Sequence, residues 1–113
     1  MNSFSVADGT VKKITSTPGI LVVNFTDWKE QDWTITFENL IAFQSLGAEG
    51  EEISEIIESK KILIENINTE DIDDTTKSYS FISAWSSTPV LVIVAKGYET
   101  KKHNQSLTKV IYP

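Results

Sequence analysis

The one histidine, His103, and an acid-rich run, "EDIDDTT" at 70–76, are the residues whose types most readily carry chemistry. His103 lies in "ETKKHNQ", a polar stretch with two lysines before it. A general base needs a partner that orients its ring, and Glu99 is the only nearby carboxylate in the chain. The histidine therefore reads as a surface loop residue. The acidic run resembles the start of a calcium loop, with oxygens at Asp71, Asp73 and Thr75. Such a loop needs glycine at its sixth position and glutamate at its twelfth. Thr76 and Ile82 stand there instead, so the run reads as a solvated turn.

Other reaction chemistries find no pattern. No G-x-S-x-G elbow presents a serine. The glycines of "GAEGEE" match neither a dinucleotide nor a phosphate loop. Paired carboxylates for glycoside hydrolysis have no specific signature among so many acids. There is no cysteine, which removes disulfides, thiolate zinc sites and thiol nucleophiles together. No catalytic, cofactor-binding or metal-binding residue is assigned, and a non-enzymatic protein is expected.

The elements that would position any site are strands. The 113 residues suit a single domain, 1–113, and 40% hydrophobic content is enough for a packed core. In "GILVVNFTDW", Leu21, Val23 and Phe25 alternate with more polar residues; in "DWTITFEN", Trp33, Ile35 and Phe37 do the same. Period two marks half-buried strands. Pairing Phe25 with Ile35 and Val23 with Phe37 puts both sets on one face. The intervening "DWKEQDW" then becomes a hairpin tip, with Trp33 capping the apolar face and Trp28 on the opposite, threonine-rich one. A second hairpin joins "KSYSFISAW" to "VLVIVAKGY" through "SSTP". Tyr79, Phe81 and Trp85 share one of its faces by parity. Its second strand is apolar on both sides, which places it centrally.

Elsewhere the pattern predicts "NLIAFQSLG" as a strand continuation or a helical turn. Ile53, Ile56 and Ile57 fall at i, i+3, i+4, predicting a short amphipathic helix in "GAEGEEISEIIESKK". "KILIENI" reads as a strand, and "VKKITS" and "LTKVIY" as lysine-bearing edge strands. The sum is a mainly β protein: an antiparallel β-sandwich or small barrel of about seven strands with one short helix. An α+β arrangement is the alternative.

Charge narrows the partner. The net charge is −6 and there is no arginine. Without a guanidinium fork, and with an acidic balance, neither nucleic acid nor an anionic membrane is expected as a partner. The longest apolar run, "PVLVIVA", is far below the roughly 20 residues of a membrane span. The N-terminal residues carry no basic head followed by an apolar stretch, so a cytoplasmic location is expected. From Glu38 to Asp74 eleven acids face only Lys60 and Lys61. Glu49, Glu51, Glu52, Glu55, Glu58, Asp71, Asp73 and Asp74 form a candidate acidic surface for a basic protein, with Trp28 as its anchor. The most concrete version is an immunity-type inhibitor of a basic bacterial toxin. A small-ligand or carbohydrate-binding barrel using Trp28, Trp33, Trp85 and Tyr79 is a second expectation. A structural or assembly subunit is a third.

Overall fold

Alternating apolar residues can be buried only if strands curve around a shared interior. The computed structural model describes residues 5–103 and folds them as eight strands in one antiparallel sheet. The strands are β1 (Gly9–Thr17), β2 (Ile20–Thr26), β3 (Asp32–Glu38), β4 (Ala42–Ser45), β5 (Glu52–Ser59), β6 (Lys77–Ser83), β7 (Pro89–Ala95) and β8 (Gly97–Lys102). Their order across the sheet is β4-β7-β6-β5-β1-β2-β3-β8. With β4 and β8 as its two edges, the sheet is not a closed barrel. It is a sandwich-like fold made by one sheet curling over. No helix among the described residues is long and apolar enough to cross a membrane.

The two edges belong to the same pair of chain segments. β3 runs on into β4, and β7 into β8, after short breaks. Hydrogen bonds carry the pairing across those breaks: Ile41 N–H donates to Val94 O (2.9 Å) and Lys96 N–H to Glu38 O (3.3 Å). Asn39 takes a positive φ of 54° at the bend, a conformation asparagine tolerates better than most residues.

Period two is borne out in the first hairpin: Leu21, Val23, Phe25, Trp33, Ile35 and Phe37 are all buried in the core. The register differs from expectation by two residues. Phe25 pairs with Trp33, and Val23 with Ile35. Asp27 is the cause, because its side chain leaves the ladder to organise the loop.

The predicted helix is corrected to a strand, β5. The only helical turn among the described residues is a 3-10 turn at Thr69–Asp71. A β-bulge shifts the register between Ile53 and Glu55, so Ser54 is the extra residue. Ile53 and Ile56 then both turn inward despite their spacing of three. Ile53 is buried, Ile56 packs against the core, and Ile57 points outward, 45% exposed. The bulge thus reproduces a helical spacing within a strand. "KILIENI" is not a strand. It crosses the outside of the sheet as irregular chain, with Leu63 N–H bonded to Ser78 Oγ (3.0 Å). That crossing accounts for Ser78 being buried on the non-core side of β6. "LTKVIY" lies outside the described residues.

β6 and β7 are interior strands buried on both faces, as their composition implies, although β7 lies next to the edge strand β4 rather than at the middle of the sheet. Ser78, Tyr79, Ser80 and Phe81 are buried in succession, as are Ile93, Val94 and Ala95. Across the interior Phe37 of β3 meets Tyr79 and Phe81 of β6, with ring centroids 5.3 and 6.2 Å away. Tyr98 of β8 joins at 5.3 Å from Phe37 and 5.4 Å from Tyr79.

At the start of β1 the packing leaves no room for a side chain. A Cβ on Gly9 would lie 2.3 Å from the Phe25 ring and 2.7 Å from Thr26 O. Gly97, by contrast, has open space around it. Gly9→Ala is expected to cost about 1–3 kcal/mol, the usual range for overpacking. Gly97→Ala should stay within about 0.5 kcal/mol of the parent. Urea denaturation of the two variants side by side checks this.

Candidate functional site

Asp27 builds the loop between β2 and β3 that holds Trp28. Its Oδ1 accepts from Lys29 N–H and Gln31 N–H (both 2.9 Å), and its Oδ2 from Trp33 Nε1–H (2.9 Å). Its own N–H donates to Gln31 O, and Glu30 N–H returns to Asp27 O. Burial acts to raise the Asp27 pKa. The bonds from Gln31, Trp33 and Lys29, with the Lys102 charge, outweigh it and hold the carboxyl below its ordinary value. The result is a fixed loop whose tip, Trp28, is 62% exposed with the Lys29 ammonium 5.2 Å from its ring.

Trp85 was expected on the face of Tyr79 and Phe81. It is instead in the β6–β7 turn and 80% exposed. Ser83 makes the difference. Its Oγ accepts from Trp85 N–H (3.1 Å) and Ser86 N–H (3.2 Å) and donates to a Glu51 carboxylate oxygen (2.5 Å). Such serine-backbone bonds start a turn early and end the strand before Trp85 can face the core. The run "SAWSS" held that signal, since serine flanks the tryptophan on both sides.

The sheet register joins the two tryptophans. Thr26 pairs with Thr10, Thr10 pairs with Glu52, and Ala84 N–H bonds to Glu52 O (2.8 Å). Directly opposed residues share a face, so Thr26, Thr10 and Glu52 lie in one row on the outside. At about 4.8 Å per strand, roughly 15 Å of backbone separates Thr26 from Ala84. The loop of Trp28 stands beyond one end of this row and the turn of Trp85 beyond the other.

The acids divide into two groups. Glu49, Glu51, Glu52 and Glu55 are near the start of β5. Glu58 is near its end, roughly 20 Å along the strand, on the side where Asp73 meets Lys96 beyond β7. Half of these acids are engaged. Glu49 Oε2 accepts from Ile14 N–H (2.8 Å), and Glu51 holds Ser83. Glu58 pairs with Lys77 and Asp73 with Lys96, each at 2.7 Å. The Glu58 bond raises the Lys77 pKa. The Lys96 bond, followed by the hydroxyl and N–H of Thr75, holds Asp73 well below the usual carboxylate range. Among the described residues Glu52, Glu55, Asp71 and Asp74 have no such partner. The acids free at the start of β5 therefore sit beside Trp85 rather than Trp28.

The four aromatics of the second expectation do not converge. Trp33 and Tyr79 are buried, and Trp28 and Trp85 occupy separate turns. A depression of about 490 Å³ does open on the outer face, lined by Lys12, Asn24, Thr26, Asp32, Thr34 and His103 among others. There the His103 ring contacts the Thr34 hydroxyl, and Thr26 Oγ1 donates to Asp32 Oδ1 (2.9 Å). No cluster of three or more metal-ligating side chains occurs among the described residues.

No protein-family model, curated protein or solved structure matches this chain.

Asp27 ties loop geometry to pH. A carboxyl with a depressed folded pKa adds stability above its unfolded pKa, about 3.9, which is lost as pH falls through the folded value. Wild-type protein should therefore lose stability below about pH 4, and Asp27→Asn should lose less over the same window. Asp27→Ala should cost about 1–2 kcal/mol at neutral pH, since it leaves loop donors unpaired. Urea melts followed by tryptophan emission, run from pH 2 to 7, read both effects.

Proposed function

We propose that this chain is a non-enzymatic protein-binding domain whose partner is basic. The observation that carries the reading is the row joining Trp28 to Trp85, with Glu52 within it and Glu55 alongside. Exposed tryptophans are favoured anchors of protein interfaces, because they bury much area at low entropic cost. Free carboxylates beside them attract a basic surface and set its orientation. An interface of standard size covers about 800 Å² per partner, enough to take in both tryptophans. An immunity-type inhibitor of a basic bacterial toxin is the concrete form this reading takes. Of the second group of acids, Asp71 and Asp74 contribute to the long-range field, Glu58 and Asp73 being paired with lysine.

A second reading rests on the depression around Thr34 and His103, which Phe25 and Trp33 also line, next to the loop of Trp28. Its hydroxyls, amide and charged groups suit a small polar ligand such as a carbohydrate. That reading predicts quenching of Trp28 emission by free sugars.

The test of the main reading is capture of partners from host lysate at low and moderate salt. Glu52→Lys/Glu55→Lys serves as the charge variant and Trp85→Ala as the anchor variant. Glu51 is left alone because it holds the turn. A basic protein should bind the parent and elute as salt rises. The charge variant should weaken binding, and Trp85→Ala should lower affinity by roughly tenfold or more. Binding indifferent to salt and to both variants would remove this reading.

A further inference from the structure

Among the described residues, one opening in the sheet lies between β4 and the part of β1 beyond Val11. Among these residues β4 pairs only with β7, and β1 pairs only with β2 beyond Val11, whose N–H donates to Glu51 O and whose C=O accepts from Gly50 N–H. The gap forms a groove of about 410 Å³, lined by Ile14, Ser16, Phe43, Ser45 and Glu49, with Gly47 and Ala48 at the rim. A second depression adjoins it at Leu40, Ile41 and the Pro18–Gly19 turn, where Leu40 N–H donates to Gly19 O (3.0 Å) and joins the two sides directly.

Both banks present main chain that no neighbouring strand pairs, the Ile14 N–H alone being taken by the Glu49 carboxylate. Thr17 and Ile20 close the two-residue hairpin of β1 and β2, so odd-numbered residues of β1 bond to β2 near the turn. The N–H and C=O of Ile14 and Ser16 therefore aim into the groove. Glu49 confirms the direction, since its carboxylate reaches Ile14 N–H from that side. On the opposite bank Leu46 N–H donates to Val90 O, so by alternation Phe43 and Ser45 turn their main-chain groups away from β7, into the same groove. The floor is apolar, because Ile14 and Phe43 pack against the core. Glu49 is the only formal charge among the lining residues.

We propose that the groove between β1 and β4 is a strand-addition site for an extended segment of a partner protein, with apolar residues at alternate positions and a lysine or arginine at its Glu49 end. Two facing strand edges accept an extended backbone and nothing else so well. The apolar floor selects every second side chain. The charge of Glu49 fixes which way the segment runs. This inference is independent of the acidic interface proposed above, since it uses main-chain groups of Ile14, Ser16, Phe43 and Ser45, none of which lies in the row from Trp28 to Trp85.

The experiment uses the full chain and an array of seven-residue peptides, alternating valine and threonine, ended by lysine, serine or glutamate. Ser16→Pro removes the donor facing the groove while leaving the β1–β2 bonds intact. Ser16→Ala keeps that donor. The expected result is binding of lysine-ended peptides, at least roughly tenfold weaker for glutamate-ended ones. Binding should be lost in Ser16→Pro and retained in Ser16→Ala. Amide exchange should slow at Ser16, Phe43 and Ser45 when the peptide binds. The proposal is overturned if no peptide binds, or if Ser16→Pro, folded by circular dichroism, binds as the parent does. It is equally overturned if the chain dimerises and Ser16→Pro makes it monomeric, because the groove then takes a second copy. Glu52→Lys/Glu55→Lys should leave peptide binding unchanged, which separates this site from the acidic one.

Discussion

Phe37 sets the shape of the molecule. In the sheet, β3 and β6 are four strands apart, with β2, β1 and β5 between them. A flat sheet would hold them roughly 19 Å apart. Yet the Phe37 ring lies 5.3 Å from that of Tyr79. The contact exists only if the sheet coils until its inner face meets itself. Aromatic pairs in tilted or edge-on geometry add about 0.5–1.5 kcal/mol beyond their buried area. The cluster of Phe37, Tyr79, Phe81 and Tyr98 therefore both records the curvature and stabilises it. Burial among these rings also pushes the Tyr79 phenol pKa upward, with the Glu58 charge adding to the effect.

Curvature of this degree needs local devices, and those devices decide how far the sequence could be read. Side-chain parity was legible: every inward residue expected of β2 and β3 is buried. Parity is a local property, fixed by the pleat. The bulge in β5 was not legible, because "EISEII" carries the same spacing whether a helix or an extra residue in a strand produces it. Only the partner strand distinguishes them, and that partner, β6, is more than twenty residues away in the chain. The slip of two residues in the first hairpin has a related origin. Either register buries the same face, so hydrophobicity cannot choose between them. The choice falls to Asp27, whose carboxylate collects three donors only if the loop spans five residues.

The candidate site was legible as composition and obscure as geometry. The excess of acids from Glu38 to Asp74 is plain in the sequence, but its division is not. Lys77 and Lys96 come from the basic half of the chain and neutralise Glu58 and Asp73 across the sheet. Glu49 and Glu51 are consumed by an edge amide and a turn serine. Exposed ion pairs of this kind contribute little stability each. Their larger effect is to select which carboxylates remain available to a partner. Trp85 was misplaced for the same reason that made it exposed: Ser83 ends β6 two residues before the alternation does.

The groove between β1 and β4 follows from the same curvature. A sheet that coils far enough to bring Phe37 onto Tyr79 also brings its edge strand β4 to the side of β1, an interior strand left unpaired on that side beyond Val11. Here β4 is only four residues long, and β2 ends its pairing at Glu38, just before β4 begins. β4 therefore has β1 as its next neighbour, across the groove lined by Ile14, Ser16, Phe43 and Ser45. Exposed edges of this sort invite pairing, and proteins commonly blunt them with charge. Glu49 does so at a single amide and leaves Ser16, Phe43 and Ser45 open. An edge guarded at one end and open along the rest is not fully protected against strand addition. It restricts such addition to segments whose charge suits the guard, and that turns an unclosed sheet into a selective one.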